Sequence, residues 1–189
     1  MKDKVFNIVI NPNGASGTAK TIFKKIEPLL IKNNIKYIVH TSSISEGISS
    51  ICSRLTKLNE DIYLVLIGGD GSLNEAVNGI VNFEKTYVGF IPCGSGNDFA
   101  RSINLPQKLD ELVSIIFKGE VKRTCDIGEV TMHNFSEEFR KLPDVKDNQF
   151  KRKFNVSTGI GFDAEICQKT HVTQVKPFLN KIRLGKLSY

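Results

Sequence analysis

The chain has 189 residues, is 40% hydrophobic and 8% aromatic, and carries a net charge of +6 with a pI near 9.1. That is enough chain for one domain and part of a second with an ordinary core, and no stretch approaches the ~20 consecutive apolar residues of a membrane-spanning helix. With no Trp and no aromatic RNA-binding signature, the positive charge favours nucleotides or an anionic membrane surface and excludes nucleic acid as the expected partner.

The first apolar run, VFNIVI, reads as a buried strand from Val5 to Ile10; it is too short, and too interrupted by Asn7, for a secretory leader. The turn NPNGASG follows. An amphipathic helix is expected over 18–33, with Ile22, Phe23, Ile26, Leu29 and Leu30 on one face and Pro28 kinking it. Tyr37 to Val39 reads as a second strand. Ser43 and Glu46 form a capping-box pattern, which predicts a helix from there to about Leu58. Ile62 to Ile67 is the third strand. Ser72 and Glu75 repeat the capping-box pattern and predict a helix to about Val81; Val88 to Ile91 is the fourth strand.

Strand and helix alternate, which predicts an α/β fold: a doubly wound parallel sheet with helices on both faces. Ligands of such sheets sit at the carboxyl ends of the strands. Asn11, Thr41, Gly68 and Pro92 each follow a strand, so four strands point to one edge of the sheet. A helix is expected over Leu112 to Phe117, and then the pattern changes. Lys122 to Met132 and Lys153 to Ser157 read as antiparallel strands, with a long exposed connection over 133–152, dense in charge of both signs and containing Pro143. The domain division is therefore 1–120, an α/β nucleotide-binding unit, and 121–189, the start of an incomplete β-rich unit.

Two glycine-rich turns carry the chemistry: IGGDGSLNEAVNGI at 67–80 and IPCGSGNDFAR at 91–101. Glycines allow a backbone to approach a ligand where a side chain could not. A helix start presents free N–H groups and a positive dipole end to phosphate. Asp70 is placed to orient Mg²⁺ on such phosphates, and Ser72 to cap the helix and bond a phosphate oxygen. Neither turn matches a Rossmann GxGxxG or a Walker A loop. Cys52, Cys93, Cys125 and Cys167 form no CxxC pair, which argues against zinc and disulfides and fits a reducing cytosol.

The paired motifs GGDGSLNEAVNGI and PCGSGNDFAR resemble the catalytic domain of the diacylglycerol kinases, a group that includes sphingosine, ceramide and bacterial lipid kinases. NPNGASGTA at 11–19 resembles that family's first phosphate loop, and VSTGIGFDAEI at 156–166 the stretch opening its second domain. The resemblance spans about residues 4–189. It implies a nucleotide-binding α/β domain followed by a β-sandwich, with the active site between them. It implies that ATP is contacted by Asn11, Pro12, Asn13, Gly14, Ala15, Thr41, Gly69, Asp70, Gly71, Ser72, Leu73, Asn74, Glu75 and Ser95. Asp70 would serve the catalytic Mg²⁺. Asn97 and Asp98 would lie where nucleotide and acceptor meet, Asp98 with Asp70 in the catalytic pair, and Asp163 would face the polar head of the lipid.

The reaction so implied is transfer of the γ-phosphate of ATP to a lipid hydroxyl, with diacylglycerol giving phosphatidic acid, by a cytoplasmic protein peripheral at the inner membrane face. Two alternatives stay open: a phosphotransferase like NAD kinase, which shares GGDG, and a nucleotide-binding module without full activity. The family's second domain continues beyond the point matching Tyr189, and its glutamate base and structural metal site lie there, so this chain is expected to be truncated. No glutamate here maps to that base. An incomplete sandwich exposes strand edges and favours a homodimer. The segment FLNKIRLGKLSY at 178–189 is either a membrane-surface helix or one packed on that further domain.

Overall fold

The computed structural model describes residues 4–12, 17–133, 145–146, 149–161, 164–166 and 169. Four parallel strands form the first sheet: β1 (Val5–Ile10), β2 (Lys36–Thr41), β3 (Ile62–Gly68) and β4 (Thr86–Pro92), in the order β2-β1-β3-β4. The helices are α1 (Thr18–Lys32), α2 (Ile48–Thr56), α3 (Asp70–Gly79), α4 (Asp98–Ser102) and α5 (Leu109–Ile116). A second, antiparallel sheet follows, built of β5 (Gly128–His133), β6 (Val145–Lys146) and β7 (Gln149–Phe154) in the order β5-β7-β6.

Strand alternation divides the apolar residues between two cores. Phe6, Ile8 and Ile10 of β1 face Ile26 and Leu30 of α1 and Leu112 and Val113 of α5, together with Val65, Ile67 and Ile91. Val9, Leu64, Leu66 and Phe90 point the other way, onto Ile48, Ile51 and Cys52 of α2, Leu73, Ala76 and Val77 of α3, and Ala100 of α4. Helices therefore cover both faces, as a doubly wound sheet requires. The expected face of α1 is the one that packs: Ile26 and Leu30 are fully buried, and Ile22, Phe23 and Leu29 lie against the same core. The helix runs unbroken through Pro28.

Two helix starts differ from expectation. Ser43 does accept a bond from the Glu46 N–H (3.1 Å), but the Ser43 N–H donates to the Glu46 carbonyl (2.9 Å) and closes a separate turn. The helix begins five residues later, at Ile48, capped by Gly47. Similarly, Gly69 caps α3, so Ser72 lies within the first turn of the helix. The second sheet also begins later than expected, at Gly128, after residues 121–127 without regular structure; β7 occupies 149–152, which had read as connection, and ends at Phe154.

β1 pairs with β2 on one side and β3 on the other. The helix after β1 leaves over one face, and those after β2 and β3 over the other. The carboxyl ends of β1 and β3 therefore flank a crevice at a topological switch point. The two glycine-rich turns are held beside it because Gly68 stands opposite Pro92 at the ends of β3 and β4.

Candidate functional site

The first turn enters α3 directly. The Leu73 N–H donates to the Gly69 carbonyl (3.0 Å), so the amides of Asp70, Gly71 and Ser72 precede the first intrahelical bond. Among the described residues there is open space around Gly71: a Cβ there would meet none of their atoms within 4 Å. Gly68 answers a different need, since a Cβ there would sit 2.6 Å from that of Ser72, which folds back on the strand end.

The second turn lies against the first, main chain to main chain. A Cβ on Gly94 would come within 2.8 Å of the Gly69 Cα, and one on Gly69 within 3.1 Å of the Gly94 Cα. The Cys93 N–H donates to the Gly68 carbonyl at 2.8 Å. Asn97 takes the left-handed conformation (φ 54°), which asparagine tolerates, and its Oδ1 accepts the Gly94 N–H at 2.8 Å, closing the turn.

Asp70 joins the two. Its Oδ2 accepts the Asp98 N–H (3.0 Å) and its Oδ1 the Phe99 N–H (3.1 Å). Here a carboxylate from the start of one helix caps the start of another, a charge-assisted arrangement that the positive end of α4 reinforces. Asp98 itself is exposed and pairs with Arg101 Nη2, while Arg101 Nη1 donates to the Gly96 carbonyl (2.6 Å).

Asn11 and Pro12 follow β1 at the crevice, half-buried. Thr41 ends β2 and is exposed; the neighbouring Ser42 N–H donates to the Ile10 carbonyl (2.9 Å) and ties the ends of β1 and β2 together. Gly69, Asp70, Gly71, Ser72, Ser95, Asn97 and Asp98 are gathered in the two turns and the helix starts that follow them. Other expected residues are not brought there. The Leu73 side chain is buried in the core. Asn74 turns to the second sheet, where Nδ2 donates to the Lys153 carbonyl at 3.0 Å. Glu75 is exposed in the next turn of α3. Asn13, Gly14, Ala15 and Asp163, with the 178–189 segment, lie outside the described residues.

Two residues of interest went unread in the sequence. Arg101 lies three positions after Asp98, the spacing of an ion pair on one helix face. Asn78 lies four positions after Asn74, and two asparagines at that spacing inside a helix run against propensity, which is itself a signal of side-chain bonding.

Burial raises both cysteines near the site, the Cys93 thiol to about 11 and Cys52, with Glu75 adding to the effect, to about 12. Neither is a thiolate near neutrality. At the end of β2, His40 is shifted down, first by desolvation and then by Arg54; its Nε2 bonds Asn7 Oδ1 at 3.0 Å.

Beyond Phe99 a cavity of about 990 Å³ opens along β4, the last strand of the sheet among the described residues, with Tyr87, Phe90, Ile103 and Ile116 in its walls. Leu73 and Phe99 belong to its lining too, so it adjoins the paired turns.

This arrangement can be set beside known proteins. The diacylglycerol kinase catalytic domain matches residues 6–130. The chain is 28% identical over 187 residues to a Bacillus subtilis (strain 168) protein named "Putative lipid kinase YtlR", covering 96% of this chain and 55% of that one. It is 33% identical over 132 residues to a diacylglycerol kinase of Staphylococcus carnosus (strain TM300), covering 68% of this chain and 42% of the relative. Among solved structures, "A putative diacylglycerol kinase from Bacillus anthracis str. Sterne" superposes with a TM-score of 0.50 at 24% identity, over 68% of this chain and 44% of that one, a likeness of fold. The chain belongs to the diacylglycerol kinase catalytic domain family. It spans about half the length of the curated relatives it matches.

Proposed function

We propose that this chain is the nucleotide-binding side of an ATP-dependent lipid kinase, transferring the γ-phosphate of ATP to a lipid hydroxyl, with diacylglycerol the acceptor and phosphatidic acid the product. The observation that carries the reading is the junction at Asp70. It fuses two glycine turns at the switch point of the sheet and leaves the first amides of α3 beside open space. Residues 1–120 form the donor side and residues from 121 onward the acceptor side.

In this reading the N–H groups of Asp70, Gly71 and Ser72 hold phosphate oxygens, with Ser72 Oγ and Ser95 on the same side. The absence of a Cβ at Gly71 leaves room for the phosphate chain. Asp98 stands at the acceptor edge, held by Arg101. An acyl chain suits the apolar cavity along β4, whose volume falls at the upper end of the ~300–1,000 Å³ usual for ligand pockets.

Magnesium fits the residues present. A nucleotide-bound Mg²⁺ asks for one or two carboxylates and takes its other ligands from phosphate and water. Each Asp70 oxygen accepts one amide and keeps a further lone pair, and among the described residues no group of three His, Cys, Asp or Glu side chains gathers to form an all-protein cage. When bound, Mg²⁺ supplies neutralisation of the charge on the transferring phosphoryl group. No helix among the described residues is long and apolar enough to cross a membrane. The protein is read as cytoplasmic and peripheral, meeting its acceptor at the inner membrane face.

The test is transfer of labelled γ-phosphate from Mg-ATP to a bacterial membrane-lipid extract. Label in one lipid, absent with Asp70→Asn, supports the proposal and names the acceptor. Labelled NADP from NAD, with no lipid labelled, would replace it by the NAD kinase alternative.

A further inference from the structure

Asn74 and Asn78 stand one turn apart on α3, on the side facing β7. The Asn78 carboxamide meets the Lys153 peptide at both ends: the Lys153 N–H donates to Asn78 Oδ1 (2.8 Å) and Asn78 Nδ2 donates to the Lys153 carbonyl (2.9 Å). This is the two-point exchange by which one strand residue pairs with another across an antiparallel ladder. Here a side chain takes the place of the strand. The Lys153 carbonyl also accepts from Asn74 Nδ2 (3.0 Å), and Asn78 Nδ2 lies 2.8 Å from the Asn74 carbonyl, so the two asparagines brace each other.

The place of this contact in the sheet gives it meaning. β7 pairs with β5 along its whole length, but with β6 only at Gln149 and Phe150. Past those residues its second edge has no strand neighbour among the described residues, and Asn78 takes up that edge at Lys153. An open edge is a liability that proteins cover. This one is covered by the helix that begins at Asp70. From Asp70 to Asn78 is two turns of one rigid rod, about 12 Å at 1.5 Å per residue.

We infer that Asn78 is a positioning residue: its amide latches the second sheet to α3 and so sets where the acceptor side stands relative to the phosphate turns. The reading of the two sides rests on the proposed function; the latch rests on the hydrogen bonds alone. Asn78 touches neither turn and acts through Lys153.

The experiment compares the chain with Asn78→Asp, which keeps size and an acceptor for the Lys153 N–H but loses the donor, and with Asn78→Leu, which loses both. Residue-resolved amide exchange is the first readout. The Lys153 amide should exchange faster in Asn78→Leu by tenfold or more, the factor that ~1.4 kcal/mol represents. Amides of Leu64 to Ile67 in the first sheet should be unchanged. Lipid phosphorylation is the second readout: kcat should fall in both variants while the affinity for Mg-ATP stays at the wild-type value, a split that general destabilisation does not produce. Unchanged exchange at Lys153 in Asn78→Leu, or an equal rise in both sheets in that variant, would overturn the latch. Absence of lipid phosphorylation in the unaltered chain would instead count against the kinase reading, and the exchange result would still decide the latch.

Discussion

The carboxylate of Asp70 holds the backbone N–H of Phe99 at 3.1 Å, and that bond places two segments 29 residues apart in one rigid unit. The side chain proposed above to serve a metal ion is thus also the cap of a neighbouring helix, so on that proposal an electrostatic and an architectural duty would fall on the same two oxygens. The Phe99 ring continues the link, lying 6.2 Å from Phe90, centroid to centroid, beneath the same turn.

Replacing Asp70 therefore has two separable effects. Asp70→Asn keeps one acceptor oxygen and loses the charge and the second acceptor. Phosphoryl transfer should fall to background. Stability should drop by about 1.5–3 kcal/mol, the scale of a lost charge-assisted bond. Calorimetry and exchange at the Asp98 and Phe99 amides measure the second effect. A variant with unaltered exchange there would show that the brace does not operate in solution.

Gly71 and Gly94 are predicted to part company. Gly71→Ala introduces a methyl into open space on a helix, so folding should be unharmed or improved by ~0.5–1 kcal/mol. Nucleotide binding should fall, because that space is where phosphates would lie. Gly94→Ala drives a methyl onto the Gly69 main chain and should cost about 1–3 kcal/mol, the range of overpacked sites. Thermal melts with isothermal titration of Mg-ADP distinguish the two. Full nucleotide affinity in Gly71→Ala would place the phosphates elsewhere.

Gly79 ends α3 where α2 passes. A Cβ there would land on the Ser49 carbonyl oxygen, and backbone cannot step aside as a side chain can. Gly79→Ala should therefore separate the helices and destabilise the fold by at least ~1–3 kcal/mol, lowering the urea midpoint. An unchanged midpoint would mean that the helices are not packed this closely.

The thiols predict a reactivity order. Cys125 is exposed, whereas burial pushes Cys93 up to about 11 and Cys52 to about 12. At pH 7.5 iodoacetamide should label Cys125 and spare Cys93 and Cys52; Cys167 lies outside the described residues. The same shifts bear on stability. A thiol whose folded value lies above its unfolded value near 9 is protonated preferentially in the native state. Its contribution is complete below pH 9 and is lost as pH rises toward 11 and 12. The melting temperature should decline above pH 9, and less steeply in Cys52→Ala.

The sheet, its order of elements and the two turns were legible because apolar runs ending in glycine leave few other conformations. The helix starts were not. Ser72 fits the sequence pattern of a cap, yet Gly69 takes that position, and the Asp70 side chain is drawn away to α4; a bond across 29 residues has no local signature. Ser43 does make the local bond that its pattern promises, but with Glu46 it closes a turn of its own ahead of the helix. Only Lys153 and Phe154 of β7 fall in the expected strand; its first four residues read as connection because the run QFKRKF is as charged as a loop. Its pairing with β5, and the hold of Asn78 on Lys153, come from the fold around it.

The contact between Gly69 and Gly94 has a consequence for diversity. A surface made by two stretches of main chain has no rotamers to flip and no side chain to exchange. It is a casting whose contours follow the spacing of β3 and β4, so altering its shape requires moving whole strands. On the kinase reading proposed above, variation in the acceptor would then accumulate on the far bank of the cleft, where side chains line the wall, while the bank proposed to hold the nucleotide would change little.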